Sequence, residues 1–339
     1  MKKLKVILPL CVMAAAFVSL SCESHEPEPV PEPEPVVDDE SVVKLLYWNL
    51  QCGMWADQAN NYDNFVAWVK AQNPDICVWN EGETTFDNGV FDWSTRAEKK
   101  YLPEHWLELA ARYGHNYVMV NPVDKGLVTT SKFPFEREKD IYPDRPKVEI
   151  RSGSTIYKFN IANETLRFVT LHLWPHHYDP YVAKADREKS KAEHGGDLFR
   201  LKEISTLCDT TINNRPNAAR ENWIMLGDFN ARSPLDNAVY GYSLDAPALR
   251  CISYVLNSTP YLDAVHQMHP NEFITSTFDW NHRIDFVFCT PPVMRRVLSA
   301  DIVKDYYTNI KPLDDLYPGQ YARTPSDHYP IILRIDMNK

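Results

Sequence analysis

The feature that most constrains this chain is a series of short β-branched and aromatic runs, several of which close on a polar residue. They are VKLLYWNL (43–50), DICVWNE (75–81), STIYKFNI (154–161), LRFVTLHLW (166–174), NWIMLGDF (222–229), RIDFVF (283–288) and YPIILRI (329–335). Their length and composition predict strands. Between them lie segments of helical period. Tyr62, Phe65, Val66 and Val69 recur before a stop at Asn73 and Pro74, and Leu201, Ile204, Cys208 and Thr211 recur ahead of the fifth run. Pro103 suits the first turn of a further helix over PEHWLELAARYG. Alternating periods predict an α/β class. The runs 154–161 and 166–173 are separated only by the polar turn Ala162 to Thr165, which predicts an antiparallel hairpin within a mixed sheet.

The polar residues that close the strands are Asn49, Glu81, His172, Asp228 with Asn230, and Asp285. Core strands have no need of them, whereas ligands of α/β sheets bind in the crevice outside strand ends. The oxygen donors Glu81, Asn49 and Asp228 suit a hard cation, Mg²⁺ or Mn²⁺, which would stabilise charge on a phosphate under attack. His328, with Asp327 before it, can be neutral near pH 7 and take a proton from water, and a carboxylate partner would orient its ring.

Taken in order, WNL (48–50), NE (80–81), Thr170 with LHL (171–173), GDFN (227–230), RIDF (283–286) and SDH (326–328) resemble the endonuclease/exonuclease/phosphatase superfamily. That superfamily includes pancreatic-type deoxyribonuclease, apurinic endonuclease, inositol polyphosphate 5-phosphatases and bacterial sphingomyelinases. The resemblance covers about residues 43–336. It implies a four-layer sandwich of two packed mixed sheets flanked by helices, and a metal-dependent phosphoesterase. It also implies that Asp285 partners His328, that Asp228 and Asn230 hold the attacking water or the phosphate, and that His172 donates to the phosphoryl oxygens. His172 resembles the deoxyribonuclease and phosphatase branches more than the apurinic endonuclease branch. Asn80 departs from the usual glutamine of the second motif, and KGLVTTSKFPF (125–135) carries threonines where aliphatics are usual. Both leave the subfamily open.

The N-terminus predicts export. Lys2, Lys3 and Lys5 precede an apolar run from Val6 to Leu20, shorter than the roughly 20 residues of a membrane span. The run closes on Ser19-Leu20-Ser21-Cys22, which resembles a bacterial lipoprotein signal with Cys22 as the lipidated residue; an ordinary cleavage site is the alternative. EPEPVPEPEP (26–35) reads as an extended acidic spacer. The expected organisation is therefore a signal over 1–22, a linker over 23–40 and one catalytic domain over 41–339, lipid-anchored on the periplasmic or outer surface and monomeric.

Charge limits the partners. The chain holds 36 bases and 46 acids, a net of −10; three bases fall in 1–22 and eight acids in 23–40, which leaves 33 against 38, or −5, for the domain. Long nucleic acid is gripped through many Lys and Arg contacts to phosphates, and no broad basic surface is expected here. A phosphate ester, small organic or nucleic acid, is the expected substrate. Arg295, Arg296 and Arg323 are candidates to grip a second phosphate, and Trp48, Trp55 and Trp79 either stack on substrate or pack in the core. The segment after His172, rich in His176, His177, Tyr178, Tyr181 and His194, is either a substrate loop or a local aromatic cluster; a zinc site of His172, His176 and His177 is a third reading. Cys52, Cys77, Cys208, Cys251 and Cys289 fit no zinc spacing. The alternatives in function are a tethered protein that binds its ligand without cleaving it, and a zinc-dependent hydrolase.

Overall fold

A computed structural model describes residues 41–339 except 52, 54–56, 58–60, 84–85, 88–89, 92–100, 125, 143–149, 278–280 and 310–324. The signal, Cys22, the acidic spacer, Cys52, Trp55 and Arg323 lie outside the described residues. Residues 39–339 form one compact unit. Among the described residues no helix is long and apolar enough to cross a membrane.

Two six-stranded sheets carry the fold. In the first, β1 (Val42–Asn49) and β2 (Ile76–Asn80) run parallel at the centre. β14 (Ile331–Asp336) and β13 (Val297–Ile302) add antiparallel on one side, β6 (Val128–Ser131) and β5 (Tyr117–Val120) on the other. In the second, β9 (Glu164–His172) and β10 (Asn222–Asp228) are the parallel pair. They are flanked by β8 (Ser154–Ile161) and β7 (Phe135–Ile141) on one side and by β12 (Asp285–Cys289) and β11 (Leu262–Asp263) on the other. A small hairpin, β3 (Phe86–Asp87) with β4 (Val90–Phe91), stands apart.

Strand side chains alternate between faces, and here both faces are covered. Leu45 and Tyr47 of β1 enter the core between the sheets, with Val78, Phe159, Phe168, Leu226, Val287 and Leu333. Leu46 and Trp48 turn outward onto α1 (Asp63–Gln72) and α2 (Tyr101–Arg112), beside Phe65, Trp68, Trp79 and Trp106. On the far side, Val169, Met225, Phe286 and Phe288 pack under α3 (Gly195–Thr210) and α4 (Pro247–Ser258) through Ile204, Leu207, Cys208, Ile252 and Val255. The result is the expected order of helix, sheet, sheet, helix. Cys77, Cys208, Cys251 and Cys289 are free and buried, small apolar members of these layers.

The α1 helix stops at Asn73, whose left-handed backbone (φ 48°) returns its N–H to Val69 and Lys70. The hairpin between β8 and β9 is tighter than expected: only Ala162 and Asn163 form the turn, both left-handed (φ 51° and 64°), as the twist of a two-residue hairpin requires.

Candidate active site

Strand register alone places half of the site. His172, Asp228 and Asp285 are lateral neighbours on β9, β10 and β12. Asn49 and Asn80 are lateral neighbours at the same end of the first sheet, with Glu81 one step beyond. Hydrogen bonds then tie the two sheets at this end: the Asn80 amide donates to the Leu171 carbonyl (2.9 Å), and the Tyr47 hydroxyl donates to Asp285 Oδ1 (2.7 Å). The approach of β9 to β10 demands glycine at 227, where a Cβ would lie 1.9 Å from the Leu171 carbonyl oxygen. That explains the first letter of GDFN.

Asn49 joins the acids. Its Nδ2 donates to Glu81 Oε1 and to Asp228 Oδ2, each at 3.1 Å, while its Oδ1 accepts the Gln51 N–H at 3.0 Å. The amide faces the carboxylates with its nitrogen, and in this arrangement Asn49 holds the two acids side by side. His172 Nε2 stands 3.8 Å from both Glu81 Oε1 and Asp228 Oδ2, buried and without a hydrogen-bond partner. Glu81, His172 and Asp228 can thus direct three ligand atoms at one point. An orphaned buried nitrogen facing two crowded carboxylates fits a divalent cation. Glu81 and Asn230 have left-handed backbones (φ 52° and 48°), the kind of constraint that a functional site keeps where a plain turn would use glycine.

The proton-handling end lies beside it. His328 Nδ1 is 2.8 Å from Asp285 Oδ2, and Ser276 Oγ donates to that same oxygen at 2.7 Å. Asp285 is fully buried, so three partners fix it. His328 is itself seated by Ser326, whose Oγ accepts the His328 N–H (3.0 Å) and donates to the Asn49 carbonyl (2.6 Å). Its other nitrogen, Nε2, opens on the acidic pocket, 3.9 Å from Asp228 Oδ2 and 3.8 Å from Asp327 Oδ1. Burial pushes the His328 imidazole down, but Asp285 and Asp327 outweigh it and hold the ring well above the usual histidine range. Burial and the Asp285 charge push Asp228 up to about 6, and burial, with Glu81 adding to it, does the same for Asp327, up to about 6. Asn230 donates its N–H to Asp228 Oδ1 (2.7 Å) and its side-chain amide to the Leu173 carbonyl (3.2 Å).

All eight expected side chains, Asn49, Glu81, His172, Asp228, Asn230, Asp285, Asp327 and His328, gather here. Tyr47 and Ser276 were not foreseen: one reads as a core strand residue and the other as part of a loop, and only sheet-on-sheet packing and the course of that loop bring them to Asp285. The other candidates do not join this cluster. Arg296 forks onto Glu164 and donates to the Lys339 carbonyl, far from the strand ends that carry the site. Trp48 and Trp79 are core residues. His176 stacks on Tyr178 (centroids 5.0 Å apart, 7° between planes), with Trp174 edge-on to both, so the aromatics after His172 pack on one another. Among the described residues His176 and His177 join no metal-ligand group, and the three-histidine zinc site does not form.

Two packed mixed α/β sheets thus carry an acid and histidine cluster at their shared end. Residues 46–328 match the model of the Endonuclease/Exonuclease/phosphatase family, and the chain belongs to that family. Among solved structures it is similar to an AP endonuclease from Archaeoglobus fulgidus (18% identity, TM-score 0.55, 87% of this chain and 99% of that one). It is also similar to an endonuclease/exonuclease/phosphatase family protein from Bacteroides thetaiotaomicron (15%, TM-score 0.52, 87% and 97%). A humanized D. rerio TDP2 follows (15%, TM-score 0.51, 87% and 98%). Comparison with curated protein sequences finds no match.

Proposed function

We propose that this protein is a divalent-metal-dependent phosphoesterase, exported and anchored through Cys22, that hydrolyses a phosphate ester with a water activated by His328. The observation that carries the reading is the His328–Asp285 pair at 2.8 Å, opening on the same pocket as Glu81 and Asp228. Glu81 and Asp228 would hold the cation, with His172 beside them, and Mg²⁺ or Mn²⁺ suits their oxygen donors. A bound cation supplies charge neutralisation at the phosphate oxygens and offsets the negative field around His328. His328 Nε2 takes the proton from the attacking water; Asp285, itself pinned by Tyr47 and Ser276, keeps the ring oriented and stabilises the imidazolium. Asp327, near Nε2, and Asn230, near Asp228, position the water or the phosphate.

The substrate class includes diesters, as the likeness to an AP endonuclease suggests, but the domain's charge of −5 favours a small ester over long nucleic acid. A zinc enzyme is the second reading, favoured by His172 alone, and metal analysis of the purified protein separates it. The decisive assay offers DNA, RNA, sugar phosphates, inositol phosphates and phospholipids with Mg²⁺ or Mn²⁺. Release of product that EDTA abolishes and added Mg²⁺ restores is expected. Tight binding of one of these compounds without hydrolysis would instead identify a tethered binding protein.

A further inference from the structure

Among the described residues, one arginine on the strand continuations past the acidic centre, Arg232, lacks an acidic partner. Asp228 and Asp285 pair across β10 and β12, and both chains continue past that pair at the site end, with Phe229 N–H donating to the Ile284 carbonyl (2.9 Å). Arg232 lies on one continuation, two residues after Asn230; His282 and Arg283 lie on the other. Arg283 is buried and fully compensated, with Asp236 at 2.7 Å and Asp263 at 2.6 Å. Arg232 has no such partner. Among the described residues no carboxylate is within ion-pair distance of it, and its Nε is buried with no hydrogen-bond partner. The described residues against it are neutral: the rings of Tyr240 and Tyr242 at 5.9 and 5.7 Å, and the His282 imidazole, whose Nε2 lies 3.1 Å from Arg232 Nη2.

A half-buried guanidinium with no counter-charge is costly unless something brings one. Burial and the Arg232 charge hold His282 below its ordinary value, so the imidazole accepts from the guanidinium and does not repel it. The tyrosine faces steady the cation without cancelling it. Tyr240 is in turn locked, its hydroxyl accepting the Arg283 N–H (3.0 Å) and its ring edge-on to Phe273.

Resting on the proposed phosphoesterase reading, we infer that Arg232 receives a second phosphate of the substrate, separate from the one that is hydrolysed. The guanidinium fork matches a phosphate, and its position two residues from Asn230 sets that phosphate beside the reacting one. The preferred substrates are therefore esters with two phosphates, and the two tyrosines flank the part of the molecule that joins them.

Two measurements test this. The first titrates the purified protein with inorganic pyrophosphate in EDTA, so that no cation recruits the anion to the acidic pocket, and follows the heat of binding. Wild type is expected to bind, and Arg232→Gln to bind at least tenfold more weakly, with Arg232→Lys between them. Equal affinity of wild type and Arg232→Gln, or no binding by the wild type, would overturn the inference. The second compares hydrolysis, with Mg²⁺, of the p-nitrophenyl ester of thymidine 5′-phosphate and of the same ester bearing an added 3′-phosphate. Arg232→Gln should lose at least tenfold more kcat/KM on the two-phosphate ester than on the one-phosphate ester, mainly through KM. Equal losses on both would overturn it. Should the wild type cleave neither ester, the diesterase side of the proposed function fails, and the pyrophosphate titration still decides the role of Arg232.

Discussion

At the scale of single residues, Asp285 is the member whose removal should be most informative. Its carboxylate is held by Tyr47, Ser276 and His328 together, and it is the largest favourable charge on the His328 ring. As a base His328 must be neutral, so kcat/KM should rise with pH as the ring loses its proton. Asp285→Asn leaves the shape and deletes the charge. The midpoint should then move to lower pH and kcat fall by about 10² to 10⁴, which a pH–rate profile of the two proteins would show; an unmoved midpoint would mean that another group titrates. The candidate ligands were legible in the sequence because each closes an apolar run. Tyr47, Ser276 and Arg232 were not, since nothing in a tyrosine inside a strand, a serine in a loop or one arginine after GDFN marks which strand will lie opposite.

At the scale of elements, the site depends on strands approaching more closely than side chains allow. Gly227→Ala would drive a Cβ into the Leu171 backbone, which cannot move without breaking the β9–β10 pairing that aligns His172 with Asp228. A loss of about 3 kcal/mol is expected from such overpacking, read from urea midpoints, together with weaker cation binding. The segment after His172 is similarly pinned from behind. Glu203 of α3 accepts the Arg151 and Trp174 N–H groups, each at 2.8 Å, and Arg200 donates to the Trp174 and His176 carbonyls at 2.7 and 3.1 Å. Burial pushes Glu203 up to about 7. A folded pKa above the unfolded value means stability that is complete below about pH 4.5 and is lost as pH rises through 7, on the order of 3 kcal/mol for this group. The pH slope of stability between 5 and 8 should therefore flatten in Glu203→Gln, whatever that variant's absolute stability; an identical slope would remove Glu203 from the account. The central strands were readable because both faces are buried and the runs are continuously apolar. Among the strands that went unread, β5, β7 and β13 are sheet edges. Phe135–Ile141 reads FEREKDI because an edge carries charge to discourage further pairing, and that charge erases the strand signal.

At the scale of the whole molecule, two sheets pack face to face and share one functional end, and the order of six short motifs along 283 residues of family match reflects that geometry. Each motif sits where a strand enters or leaves the shared end of the sandwich. Sequence order therefore carried the fold class and the site, while the substrate depends on side chains that are not part of those strand ends. The central claim is that His328 activates water beside a cation held by Glu81 and Asp228. It is tested most directly by pairing two readouts on His328→Ala: Mg²⁺ affinity by calorimetry, and single-turnover hydrolysis of whichever phosphate ester the wild type cleaves. Cation affinity close to wild type with hydrolysis slowed by about 10² to 10⁴ is predicted. Hydrolysis at the wild-type rate in His328→Ala would contradict it.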